Sequence, residues 1–168
     1  MALWKAESVG DLPEISGVIH DAYFDADAVR YDAAARTVCI PFAQEWDSPP
    51  LDADPAWQAV PQPVFVRKAW RYTEERVAFM RGVLRVADVN AFSADAGAGD
   101  AGTLLGIAYD SLSGRLTIEG VSGDLAALIG RIDVTAELHP GEVGVFVLRR
   151  RGLFGSSERP LWGWSPST

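Results

Sequence analysis

Cysteine occurs once in 168 residues, at Cys39, histidine twice, at His20 and His139, and lysine twice, at Lys5 and Lys68. A single cysteine excludes an internal disulfide framework and agrees with a reducing compartment. No apolar run approaches the roughly 18 residues that cross a bilayer, so no transmembrane segment is expected. Met1–Gly10 lacks the basic start and apolar stretch of a leader, and a cytoplasmic location is expected. Basic residues number 15 against 23 acids, a net charge of −8. That balance argues against general nucleic-acid binding, because phosphates demand a net basic face. The scarcity of lysine beside abundant Ala, Gly and Asp is the mark of a GC-rich bacterial genome.

What is present fits a soluble globular chain. Apolar residues make up 48% and charged residues 23%, too apolar for disorder. The length predicts a single domain, residues 1–168. Near the N-terminus, Asp11-Leu12-Pro13-Glu14 places a capping residue, a first-turn proline and a capping-box glutamate in order. One or two helical turns follow, with Gly17 as the expected stop. Val18–Phe24 is then expected to be a strand. Ala28–Tyr31, a turn through Asp32–Ala35, and Arg36–Phe42 predict a hairpin, because Thr37, Cys39 and Pro41 alternate with Val38, Ile40 and Phe42.

Residues 44–63 hold five of the ten prolines, at 49, 50, 55, 61 and 63, which removes backbone donors and disfavours regular structure. With Trp46 and Trp57 as apolar anchors, this Pro-rich stretch is expected to cover the body as an ordered loop. In 64–86, Gly82 and the many β-branched and aromatic residues favour two strands with a turn near Thr73-Glu74-Glu75. Ser93–Gly102 is small and Gly-rich, the composition of a flexible loop. Thr103–Tyr109 and Arg115–Val121 flank Asp110–Gly114 as the clearest hairpin. Leu125–Ile129 is apolar enough for a helix, Arg131–Leu138 alternates as a strand, Pro140-Gly141 predicts a turn, and Val143–Leu148 a last strand. The tail 152–168, ending in Trp162 and Trp164, is expected to pack on the body. The fold class is therefore mainly β: an antiparallel β-sandwich or partly closed barrel of about eight to ten strands with a short N-terminal helix.

The chain also echoes itself. Val29-Arg30-Tyr31-Asp32 with Val38 and Ile40 has the spacing of Ile107-Ala108-Tyr109-Asp110 with Leu116 and Ile118. Upstream, Ile19-x-Asp21 precedes Phe24 and Val86-x-Asp88 precedes Phe92. Duplication and shared hairpin chemistry both account for this.

Chemical motifs are scarce. There is no Gly-x4-Gly-Lys-Ser/Thr loop, dinucleotide fingerprint or Gly-x-Ser-x-Gly elbow, so no cofactor is expected. Cys39 sits inside a predicted strand with only Arg36 as a basic neighbour in sequence, the setting of an inert thiol. His20, Asp21, His139 and Glu142 form a possible metal set if the fold brings them together. Neighbours on a strand face opposite ways, so His20 and Asp21 need a bend to share an ion. The acidic pairs Asp25-Ala26-Asp27 and Asp52-Ala53-Asp54 lack the rest of a calcium loop.

The net charge is uneven: −8 over residues 1–63, +4 over 64–86, −7 over 87–142 and +3 over 143–168. If the strands around 64–72 and 143–151 are neighbours, Arg67, Lys68, Arg71, Arg149, Arg150 and Arg151 form an anion or partner patch beside Trp70. Missing catalytic motifs and large aromatics at Trp46, Trp57, Trp162 and Trp164 favour a non-catalytic interaction module. It would bind another protein or itself, as an immunity-type protein does through charge complementarity. A metal-dependent hydrolase at the His/Asp/Glu set is the alternative, and small-anion or nucleotide binding at the arginines the third reading. Enzymatic activity stays undecided, with the balance against it.

Overall fold

The computed structural model describes residues 2–45, 64–69, 72–95, 101–121 and 123–151, with strand placement alone for 45, 64–69, 72–79, 101 and 140–151. The chain divides into two compact units, one of residues 1–44 and 82–138, the other of 45–81 and 139–168. The fold is mainly β, with 60% strand, one short helix and an antiparallel sheet that does not close. Eleven strands are described: β1 Ala2–Ala6, β2 Tyr23–Asp25, β3 Arg30–Asp32, β4 Thr37–Glu45, β5 Val64–Ala69, β6 Tyr72–Val86, β7 Val89–Ala94, β8 Ala101–Asp110, β9 Arg115–Gly120, β10 Leu125–Ile129 and β11 Val134–Arg151. The strand order runs β1-β11-β6-β4-β2-β8-β9-β10-β7, with β3 added to β4 and β5 to β6.

The helix α1 spans Leu12–Ile19. It buries Leu12, Ile15 and Ile19, one stripe at spacings of three and four, each contributing about 2 kcal/mol of burial. Its entry differs from the expected cap. Asp11 closes a short 3-10 turn, Val9–Asp11, and its Oδ2 accepts from the backbone N–H of Glu7 and Ser8 and from the Ser8 hydroxyl. The capping box is thus Ser8 with Asp11, three residues upstream of the expected pair. Gly17 does not stop the helix, since Val18 and Ile19 stay in it, where Ile19 gains a fully buried site. The chain turns instead at Asp21, in the left-handed region at φ 62°, so the strand expected over Val18–Phe24 shrinks to β2.

The placement of α1 satisfies an otherwise open sheet edge. β2 pairs with β8 only over Ala101–Thr103. Farther along β8, Leu104 exchanges backbone bonds with Asp21 and Ala22, and the Ile107 N–H donates to Ser16 Oγ at 3.0 Å. A helix hydroxyl stands where a strand carbonyl would be, satisfying a donor that burial would make costly.

Both expected hairpins form in one register. Tyr31 pairs with Val38 and Asp32 with Thr37; Tyr109 pairs with Leu116 and Asp110 with Arg115. Asp32 Oδ1 accepts from the N–H of Ala34 and Ala35, while Asp110 takes the Leu112 N–H and the Ser113 hydroxyl. Four residues after each aspartate the backbone turns left-handed, at Arg36 (φ 54°) and Gly114 (φ 68°). Each carbonyl there accepts a bond, from Val89 N–H at Arg36 and from Ile129 N–H at Gly114, and Val89 and Ile129 are themselves register partners. The echo in sequence is therefore an echo in structure at the turns. Upstream it holds at the corners, Asp21 and Asp88 both being left-handed, though Asp21 follows a helix and Asp88 a strand.

The core is centred on a row across four strands. Phe24 on β2 faces Phe42 on β4, and on its other side faces Gly102 on β8. Both rings are fully buried. A methyl on Gly102 would fall 2.6 Å from the Phe24 ring, and one on Gly82 of β6 would overlap the Phe42 ring. The two phenylalanines thus lie over glycines of the strands outside them, and the missing side chains are the space the rings fill.

Several elements correct the sequence reading. Leu125–Ile129 is strand β10, hydrogen-bonded between β9 and β7; a five-residue apolar run suits either element, and ladder pairing along both of its edges decides for strand. Thr73–Glu75 lies inside β6: Ala69 pairs with Tyr72, which shifts the reversal toward β5. Ser93 and Ala94 belong to β7, and Ala101 and Gly102 to β8, so strand claims both ends of the expected Gly-rich loop. Pro140 and Gly141 fall within β11 rather than a turn. The Pro-rich stretch from Trp46 to Pro63 and the tail 152–168, with Trp46, Trp57, Trp162 and Trp164, lie outside the described residues.

Candidate functional site

One surface feature of the first unit lies on β9, β10 and β7. Register places Arg115, Leu128 and Ala91 side by side, and next to them Thr117, Ala126 and Ser93. On the opposite face Leu116, Ala127 and Phe92 align, with Leu116 and Ala127 in the core. A depression of about 190 Å³ lies here at the β10–β7 edge, lined by Ala91, Phe92, Ser93, Arg115, Ala126, Ala127 and Leu128. Small residues make it, because alanine methyls leave room beside a leucine that is 44% exposed. Arg115 is exposed at its rim and has no ion pair with a described residue. Its register partner Asp110 is engaged elsewhere: the Ser113 hydroxyl and the Leu112 N–H hold the Asp110 carboxyl below its ordinary range.

β7 ends the strand order, with β10 as its only ladder partner. From Val89 to Ala94 it has neither charge nor proline, the features that usually blunt an exposed edge. The opposite end strand, β1, carries Lys5, whose ammonium is paired with Glu7, which holds the lysine above its ordinary range. Over the start of β7 sits the β3–β4 turn. Arg36 Nη2 reaches Asp88 Oδ1 and Asn90 Oδ1, each at 2.6 Å, and the rings of Tyr31 and Phe92 pack with centroids 5.8 Å apart.

The residues singled out by sequence are placed as follows. His20 and Asp21 do meet: the left-handed Asp21 supplies the bend, and Nδ1 lies 3.1 Å from Asp21 Oδ2 on the surface. Gln44 donates to the His20 carbonyl, and its own Oε1 is buried without a hydrogen bond. His139 belongs to the second unit, and the side chain of Glu142 lies outside the described residues. Among the described residues no three His, Cys, Asp or Glu side chains gather as a metal set would. Asp88, at the position echoing Asp21, is taken by Arg36.

Cys39 is half-buried, and the fold adds a neighbour that sequence distance conceals: Arg85 Nη1 donates to Sγ at 3.2 Å, while Arg85 Nε lies 3.6 Å from Glu137 Oε1. In the second unit, the backbone of Arg67 pairs with Glu74 and that of Lys68 with Thr73. In the strand order of the described residues β5 and β11 are each bonded to β6 and are not ladder partners of one another. The side chains of Arg67, Lys68, Trp70, Arg71, Arg149, Arg150 and Arg151 lie outside the described residues. No helix among the described residues is long and apolar enough to cross a membrane.

Sequence reasoning missed the β10–β7 surface because it assigned Leu125–Ile129 to a helix. No local signal pointed to it, because Leu125, Leu128 and Ile129 also fit the i, i+3, i+4 spacing of a helical stripe. Comparison with protein-family models, curated proteins and solved structures gives no match.

Proposed function

We propose that this chain is a non-catalytic interaction module whose partner, another protein, docks on the β9–β10–β7 face. The observation that carries the reading is the apolar depression around Leu128 with the unpaired Arg115 at its rim. Methyl groups and an exposed leucine supply area that gains by leaving water, and one guanidinium supplies orientation. These residues offer no proton-transfer pair and no activated nucleophile, so recognition is the chemistry they support. The partner presents an apolar side chain to Leu128 and a carboxylate to Arg115, since a cation with five donors pairs best with a planar anion. The excess of acid elsewhere on the chain favours a partner that is basic around that contact.

The test is capture from an extract of the native host with the intact chain as bait. A protein retained by the wild type, lost with Leu128→Asp and weakened by Arg115→Glu, yet still retained by Leu3→Asp on β1, supports the reading. Capture indifferent to Leu128→Asp, or no captured protein and no self-association by sedimentation, refutes it.

A further inference from the structure

We propose that the β3–β4 turn is a latch over β7, held by Arg36, that opens locally and uncovers Phe92 while the rest of the first unit stays folded. The comparison between the two echoing hairpins carries this. At the second turn the left-handed position is Gly114, which adopts φ 68° without a steric penalty, and its carbonyl bond to Ile129 leads straight into the β9–β10 ladder. At the first turn the same position holds Arg36, and the aspartate it grips, Asp88, is left-handed too. Two non-glycine residues in this region persist only where their surroundings hold them, and such strain collects at switching and binding sites.

What holds them is local and polar. Arg36 gives its carbonyl to Val89 and its guanidinium to Asp88 and Asn90. Beyond that, β3 and β7 share no ladder among the described residues, and the rings of Tyr31 and Phe92 pack together. β3 is three residues long and exposed throughout, paired with β4 alone. Segments with few buried contacts and exposed hydrogen bonds are the ones that open below the global unfolding free energy. Because Phe92 is also among the residues that line the depression, the latch would regulate that surface. This last step rests on the binding reading; the latch itself does not.

Amide hydrogen exchange of the full chain, without any partner, tests the latch. Arg36→Asn removes the guanidinium while keeping a residue that tolerates the left-handed backbone. The Val89 amide and those of residues 30–36 are expected to exchange about tenfold faster or more, as loss of a charge-assisted bond implies. Amides of Leu116, Ile118 and Leu125–Ala127 should keep their wild-type rates. Should Arg36→Asn fail to fold, Asn90→Ala, which removes one acceptor, should give the same pattern at smaller amplitude. Equal acceleration throughout the unit, or none at Val89, overturns the latch. Either result is independent of whether Leu128→Asp abolishes capture, so the two proposals fail separately.

Discussion

Replacing Gly82 with alanine tests the arrangement at the centre of the core. Even the third-nearest Phe42 ring atom would lie 2.7 Å from the new methyl, well inside the roughly 3.5–4.0 Å at which carbon atoms attract. The ring is fully buried between Phe24 and Gly82 and cannot swing into solvent. Overpacking of this kind costs about 1–3 kcal/mol. Gly82 is not left-handed, so alanine regains about 0.5–1 kcal/mol by restricting the unfolded chain. The net expectation is a loss of about 1–2 kcal/mol, a fall in melting temperature of roughly 2–8 °C for a chain of this size. Phe42→Leu alone is expected to cost about 1–2 kcal/mol through lost contacts. Combined with Gly82→Ala it should recover at least about 1 kcal/mol, because the smaller side chain vacates the volume the methyl needs. Urea denaturation of the four proteins measures that coupling. A coupling below about 0.5 kcal/mol, or a neutral Gly82→Ala, would refute the claim that this glycine is there to receive the ring.

Two further outcomes follow from local geometry. Gly17 lies inside α1 with nothing within 4 Å of an added Cβ, so Gly17→Ala should stabilise by about 0.5–1 kcal/mol; an unchanged or lowered urea midpoint would contradict the helix assignment. The Asp110 carboxyl is held below its ordinary value, first by the Ser113 hydroxyl and then by the Leu112 N–H. Its contribution to stability is present above the unfolded value and is lost as pH falls through the lower folded one. Ser113→Ala should raise its midpoint in a carboxyl carbon NMR titration, and no rise would mean that the hydroxyl is not the cause.

How much was legible depends on how far apart the causes lie along the chain. Asp32 with Arg36 and Asp110 with Gly114 are four residues apart, so both hairpins and their shared register follow from local turn chemistry. Leu125–Ile129 is as local but uninformative, because five apolar residues suit a buried strand and a helix alike. Gly82 argued against a helix in sequence and proves to be the socket of a phenylalanine 40 positions away. The candidate surface was illegible for the same reason: Arg115, Leu128 and Ala91 become neighbours only through the register of three strands.

By itself the sequence determined the strand-rich class, the two matched turns, a short N-terminal helix and the alternation that buries Val38, Ile40 and Phe42 while Thr37, Cys39 and Pro41 face the other way. Those are consequences of forces acting within a few residues: backbone sterics, side-chain caps and the two-residue period of a pleated strand. Only the tertiary structure decided that Ser16 closes the edge of β8, that Arg85 meets Cys39, and that Arg36 bridges Asp88 and Asn90. Each of those pairs joins residues separated by about fifty to ninety positions, and their meeting depends on which strand edges found one another when the core closed around Phe24 and Phe42.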